Sequence, residues 1–337
     1  MLNFDADRFL SIQSGAVALA GAIDGMVASF LAGGGTNIFF LGTGGAAILM
    51  QPAVQLLQAR SALPVFSPFA AELVLTGSPQ LGRGSLVVIP SLSGTTKESI
   101  AAFEYARVRG ARIVALVGHA GTPLAEAADH VFVNFAADDT SSESFYLQSL
   151  LVALSVLHHR RETVGYAERL RDLQQLPAAL LALKRGFEDE AAGIAAQISR
   201  QPFHIFSGAG SSWPQAFYYA MCILEEMQWI RTRPVHASDF FHGTLELVEK
   251  GVSIVLLKGE DALRPLVERV EAFARGYTDE LVVLDAQSFA LPGVSADLRG
   301  LISPIVLATA LERVSAHLEV IRSHPLTTRR YYKRVAY

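Results

Sequence analysis

The chain has 337 residues, enough for two ordinary domains or one large one. Hydrophobic residues make up 51% and charged residues 18%, which excludes a disordered chain and suits well-buried α/β layers. A net charge of −4 gives no overall pull towards nucleic acid, and a single cysteine, Cys222, excludes an internal disulfide.

Near the N-terminus, Ala16 to Leu31 is apolar enough to resemble the core of a secretory signal. Yet Asp5 and Asp7 precede it against one Arg8, and Asp24 interrupts it. A signal needs a basic start and an unbroken apolar core, and a membrane span tolerates no carboxylate at its centre. The expectation is an amphipathic first helix in a cytoplasmic protein with no membrane partner. Asn37 to Leu41 then reads as a strand ending in Gly42-Thr43-Gly44-Gly45, with a helix over Ala46 to Ala59. Ser85 to Pro90 is the next strand, followed by Ser91-Leu92-Ser93-Gly94-Thr95-Thr96 and a helix to about Arg109. Arg112 to Val117 and His130 to Phe135 are further strands, and Ser144 to His158 is a long helix. Continuous β-branched runs of this kind belong to strands buried on both faces, hence to a parallel sheet covered by helices.

A helical connector over Tyr166 to Arg200 separates this series from a second one. Phe203 to Phe206 runs into Ser207-Gly208-Ala209-Gly210-Ser211-Ser212 and a helix to about Ile230, where Cys222 reads as a small core residue. Val252 to Leu257 and Glu280 to Leu284 are strands flanking a helix over Leu263 to Arg275, and Leu301 to Val320 closes the chain. Strand, glycine turn and helix open both series. The sequence therefore predicts an α/β protein of two doubly wound parallel-sheet lobes related by an internal repeat, with sites at the carboxyl ends of the strands. Residues 1–165 hold the first helix and first lobe, 166–200 the connector, and 201–337 the second lobe and tail.

Three stretches carry candidate chemistry. Ser91 to Thr96 leaves a buried strand and enters a helix, so Ser91, Ser93, Thr95 and Thr96 bring hydroxyls, and Gly94 a flexible turn, to a helix N-terminus suited to an anion. The same residues serve equally as ordinary helix caps. No P-loop lysine pattern is present, which argues against nucleotide hydrolysis. Gly42 to Gly45 is a relaxed dinucleotide fingerprint with Ala47 at the third glycine position, but no acidic residue follows at the required distance, and no cofactor is expected. In the third stretch, Glu225 and Glu226 end an apolar helical run, a loop opens with Arg231-Thr232-Arg233-Pro234, and His236, Asp239 and His242 follow. Glu and His are the usual proton carriers near neutral pH. No metal-binding spacing, neither HExxH nor paired cysteines, occurs.

Taken together these motifs resemble the sugar isomerase (SIS) domain family in its tandem form. Ser91-Leu92-Ser93-Gly94-Thr95-Thr96 is similar to that family's Ser-x-Ser-Gly-x-Thr sugar-phosphate loop. Glu226 and His242 lie 242 − 226 = 16 positions apart, as do the catalytic pair in the isomerase half of glucosamine-6-phosphate synthase. Asp239-Phe240-Phe241-His242-Gly243 and the tail Arg329-Arg330-Tyr331-Tyr332, with Tyr337 at the end, resemble the fructoselysine-6-phosphate deglycase branch. The resemblance implies a ketosamine 6-phosphate substrate, Glu226 as general acid/base and His242 at the ring oxygen. It places Gly44, the 91–96 loop and Ser141 around the ligand, and Lys333 near the ring-opening lysine of the synthase. It also implies a homodimer or larger assembly with shared active sites. Gly44 stands where relatives often have a serine, and Asp239 replaces a more usual Glu. An aldose–ketose or aminosugar isomerase and a non-catalytic sugar-phosphate sensor are the alternatives.

Overall fold

The computed structural model describes residues 1–134, 143–332, 334 and 335. Two compact units are present, one formed by 7–177 and the other by 1–6 together with 178–337.

The first unit begins with two helices, α1 (Ala6–Ala18) and α2 (Ala20–Ala32). Then come β1 (Asn37–Phe40), α3 (Gly44–Ile48), α4 (Gln51–Arg60), β2 (Val65–Phe66) and α5 (Ala70–Thr76). The chain continues through β3 (Ser85–Ser91), α6 (Lys97–Val108), β4 (Arg112–Val117), α7 (Pro123–Ala127), β5 (His130–Val133) and α8 (Glu143–His159). The five strands form one parallel sheet in the order β2-β1-β3-β4-β5. Phe39, Leu41, Val87, Ile89, Ile113 and Ala115 face one layer with Leu73, Ala102, Phe103 and Leu124 of the helices. Their alternates Ile38, Phe40, Leu86, Val88, Val114 and Leu116 are buried as well, as the period of a strand requires when both faces are covered. Helix α8 is apolar nearly all round because α2 and α4 pack against it.

Two departures from the sequence expectation have local causes. The helix expected over Ala46 to Ala59 is two helices, broken at Leu49–Met50, and Pro52 sits in the first turn of the second, where a missing N–H costs nothing. The expected single N-terminal helix is the pair α1–α2. Its Asp24 accepts hydrogen bonds from Ser155 (2.7 Å) and Tyr166 (2.8 Å) and faces His159 at 3.0 Å. Burial works against that carboxylate's charge, but these donors outweigh it and hold its pKa below the ordinary value. Among the described residues, Ala6–Ala32 and Ala296–Ile321 are long and apolar enough to cross a membrane by length and composition. The first is interrupted by Leu19 and carries the anchored Asp24; most of the second is buried among other elements.

A 35-residue helix, α9 (Tyr166–Arg200), follows, and the division between the units falls within it at Pro177. The second unit contains β6 (Phe203–Gly208), α10 (Ser212–Tyr218), a π-helical segment (Tyr219–Glu225), α11 (Glu226–Gln228) and β7 (Arg231–His236). After two 3₁₀ turns come β8 (Ser253–Lys258), α12 (Arg264–Ala274), β9 (Leu281–Asp285) and α13 (Ala296–Ile321). The sheet is parallel, in the order β7-β6-β8-β9. Ile205, Ile254 and Leu256 pack against Val267, Val270 and Ala274 of α12. Arg231-Thr232-Arg233-Pro234, expected as a loop, is the start of β7. The strand lies at the sheet edge, where proline and charged residues are tolerated because one row of backbone groups needs no partner strand.

Candidate functional site

An open parallel sheet offers its ligand crevice beyond the carboxyl ends of the strands, where the strand order reverses. In the first unit the reversal lies between β1 and β3, and in the second between β6 and β8.

The β1/β3 crevice of the first unit holds the hydroxyl loop. Ser91 ends β3, and its Oγ accepts from the Gly94 N–H (3.1 Å) and lies 3.4 Å from Thr96 Oγ1. Ser93 Oγ accepts from the Thr95 N–H and hydroxyl at 3.3 and 2.9 Å. Gly94 has φ +62°, and a Cβ there would collide with the Thr122 hydroxyl, so glycine is required on both counts. Neighbouring backbone braces the turn: Gly118 N–H donates to Leu92 O at 3.1 Å, and Leu124 N–H to Gly94 O at 3.3 Å. Thr96 occupies the N-cap of α6, but its side chain makes no capping bond. The capping alternative thus lacks its hydrogen bond at Thr96, while hydroxyls and the positive end of a 12-residue helix share one loop. After the adjoining strand β1, at the start of α3, Gly44 has φ +56° with open space where a side chain would project. Ser141 falls outside the described residues.

The second unit holds the candidate proton carriers. Glu226 follows directly on the π-helical segment, a rare conformation that recurs at functional sites. Its Oε1 accepts from Arg329 Nε at 2.9 Å. The adjacent Glu225 is taken up differently, accepting from the Thr232 hydroxyl of β7 at 2.6 Å. Trp229 then leaves the helix in a left-handed conformation (φ 55°), which lets the chain turn back into β7. At the carboxyl end of β7, His236 Nδ1 accepts from the Ser238 N–H at 3.2 Å, which leaves the ring proton on Nε2, and Trp213 packs edge-on against the imidazole. Burial pushes the His236 pKa down, with Asp239 opposing. Asp239 and His242 are both exposed in the 3₁₀ turn that follows. Among the described residues no hydrogen bond or ion pair joins His242 to Glu226. Lys333 and Tyr337 fall outside the described residues. No group of three or more His, Cys, Asp or Glu is placed to hold a metal among the described residues.

The β6/β8 crevice of the second unit is built differently from its counterpart. Asp261, in the loop after β8, accepts from the Ser211 N–H (2.8 Å) and hydroxyl (2.6 Å), and from the Leu263 N–H (2.9 Å). Asp261 drew no notice in the sequence, and Arg329 was noted there without a role of its own. Each pairs across many residues, and the only local sign of Arg329 was its place in a tail motif.

A family model described as the SIS domain matches residues 34–158. Fructosamine deglycase FrlB from Bacillus subtilis is 30% identical over 306 residues, covering 89% of this chain and 92% of that protein. Fructoselysine 6-phosphate deglycase from Escherichia coli is 28% identical, covering 88% and 85%. A crystal structure from Bacillus subtilis described as a putative phosphosugar isomerase superposes with a TM-score of 0.85 at 27% identity, over 99% of this chain and all of that one. A two-lobe fold with a hydroxyl loop at the first switch point defines the class, and the chain belongs to the SIS-domain family. Its similarity there runs to the deglycases, at nearly full length.

Proposed function

We propose that the chain is a deglycase that hydrolyses 6-phosphorylated fructosamines to glucose 6-phosphate and a free amine. The observation that carries this reading is the alignment of two named deglycases with nearly nine-tenths of the chain. The geometry supports it in two places: a hydroxyl loop at a helix N-terminus in one unit, and a carboxylate set beside a guanidinium in the other.

The chemistry reverses an Amadori rearrangement. Glu226 takes a proton from C1 while the C2 carbonyl oxygen takes one from water, giving an enaminol. Glu226 returns its proton to C2 as the nitrogen gives its own to water, leaving an imine at C1 and Glu226 ionised again. Water adds to that imine and the C–N bond breaks. One carboxylate serves both carbons because they are neighbours, and such a group typically contributes about 10²–10⁴-fold. Ser91, Ser93, Thr95, Thr96 and the Gly94 turn hold the phosphate, with Gly44 and Ser141 nearby. Exposed His242 acts at the ring oxygen, and its exposure supports a reading in which it serves a second copy of the chain in a homodimer. A charged sugar phosphate does not cross a membrane unaided, which puts the enzyme in the cytoplasm with its substrate.

The test supplies purified protein with fructoselysine 6-phosphate, with other fructose-amino acid 6-phosphates, and with fructose 6-phosphate plus ammonia. Glucose 6-phosphate and free amino acid should appear in equal amounts from at least one ketosamine phosphate. Conversion of fructose 6-phosphate alone, abolished by Lys333→Ala, would replace the deglycase with an isomerase.

A further inference from the structure

We propose that Arg329 is a positioning residue for Glu226, and that the tail carrying it is a clamp that keeps this carboxylate ionised and aimed. The inference rests on the reading of Glu226 as the proton carrier.

Four side chains on or after α13 converge on the four residues that begin with Glu226. Arg322 Nη2 donates to Gln228 O at 3.2 Å, satisfying a carbonyl at the helix end, and Gln228 Nε2 donates in return to His324 O at 2.7 Å. His324 meets the Trp229 ring edge-on at 4.5 Å, and the Arg330 guanidinium lies 4.1 Å from the centre of the same ring. A tryptophan in the left-handed region is strained and persists only where its surroundings over-determine it. These contacts supply that determination three residues beyond Glu226.

Arg329 completes the set. Its Nη1 donates to Leu326 O (2.6 Å) and Thr328 O (3.1 Å), so the guanidinium is anchored in its own tail before Nε reaches Glu226. The arginine side chain is 11% exposed and that of Glu226 is 35%. The carboxylate is thus held by Arg329 while part of its side chain stays exposed. A guanidinium at this distance favours the carboxylate over the carboxylic acid, which is the form needed to accept the C1 proton. Once protonated, the acid loses its partner's attraction and passes the proton on to C2. A lysine keeps the charge but cannot grip two carbonyls and the carboxylate with one planar fork.

The experiment measures kcat and KM for fructoselysine 6-phosphate across pH 4–9 in the native protein, Arg329→Gln, Arg329→Lys and Glu226→Gln, with thermal unfolding of each. Arg329→Gln should lose about 10- to 100-fold in kcat with KM changed less than about threefold, since orientation and not phosphate binding is lost. Its acid limb should move up by about one pH unit or more, because the opposing cation is gone. Arg329→Lys should keep the native acid limb with an intermediate kcat, and added guanidinium should restore part of the turnover of Arg329→Gln. An unmoved acid limb in Arg329→Gln, with kcat either native or lost only in step with thermal stability, overturns the proposal. Should Arg329→Gln fail to fold, a native kcat in Arg329→Lys does the same. Native turnover in Glu226→Gln removes instead the reading on which the proposal rests.

Discussion

Thr96 holds an N-cap position without doing an N-cap's work, and this separates its two possible roles by experiment. A capping threonine changed to alanine costs about 1 kcal/mol of stability. A threonine that donates to a phosphate costs affinity instead, and a hydrogen bond to a charged group contributes about 1.5–3 kcal/mol, or roughly 10- to 100-fold in Kd. Thr96→Ala should therefore weaken glucose 6-phosphate binding in calorimetry by about that factor and leave the melting temperature nearly unchanged. Native affinity with a lowered melting temperature would return the residue to capping. The loop was legible in the sequence because all its groups lie within six residues after a buried strand. From its own residues Glu226 was one of two adjacent carboxylates, and only the resemblance, through the 16-position spacing to His242, singled it out. What separates it from Glu225 is the direction imposed by the π-helical segment and by Arg329, 103 residues away, and no local pattern announces either.

At the level of elements, the strands buried on both faces were read closely from their β-branched runs, and β4 falls on Arg112–Val117 as expected. Strand β7 was missed because an edge strand need not be apolar or free of proline, so its composition is that of a loop. The packing of α9 and α13 in the second unit has a polar key that was equally hidden. Arg313, only 1% exposed, donates to Glu188 (2.7 and 2.9 Å) and to Leu2 O, while Glu188 also accepts from the Leu2 N–H. The Arg313 hydrogen bonds, opposed by burial and helped by Leu2 and His317, hold the Glu188 pKa down to about 2. A carboxylate depressed in the folded state stabilises fully above its unfolded pKa near 4.5 and loses that contribution as pH falls towards 2. Melting temperature should fall through this window in the native protein. Glu188→Gln should be less stable at pH 7, by about 3 kcal/mol because Arg313 is left buried and unpaired, and should show a shallower acid slope. Equal slopes in the two proteins would contradict the assignment.

Across the whole molecule, β2-β1-β3-β4 and β7-β6-β8-β9 are the same topology used twice, with β5 added to the first sheet. The glycine turns that open each series were the sequence's signal for this repeat. What the sequence did not disclose is how unequal the two copies are at their equivalent crevices. In the second, the Asp261 carboxylate already receives the N–H and hydroxyl donors at the start of α10. That acid is a tethered ligand, and its local concentration does not fall on dilution, so a phosphate arriving there competes with an occupant that never leaves and carries the same charge. Calorimetric titration with glucose 6-phosphate should accordingly saturate at one equivalent per chain, and two equivalent sites would contradict this. A duplicated fold whose second copy answers its own donors can diverge in its loops without acquiring a rival seat for the substrate. That freedom leaves the second copy's helix end, edge strand and tail available for the proton transfer proposed for Glu226.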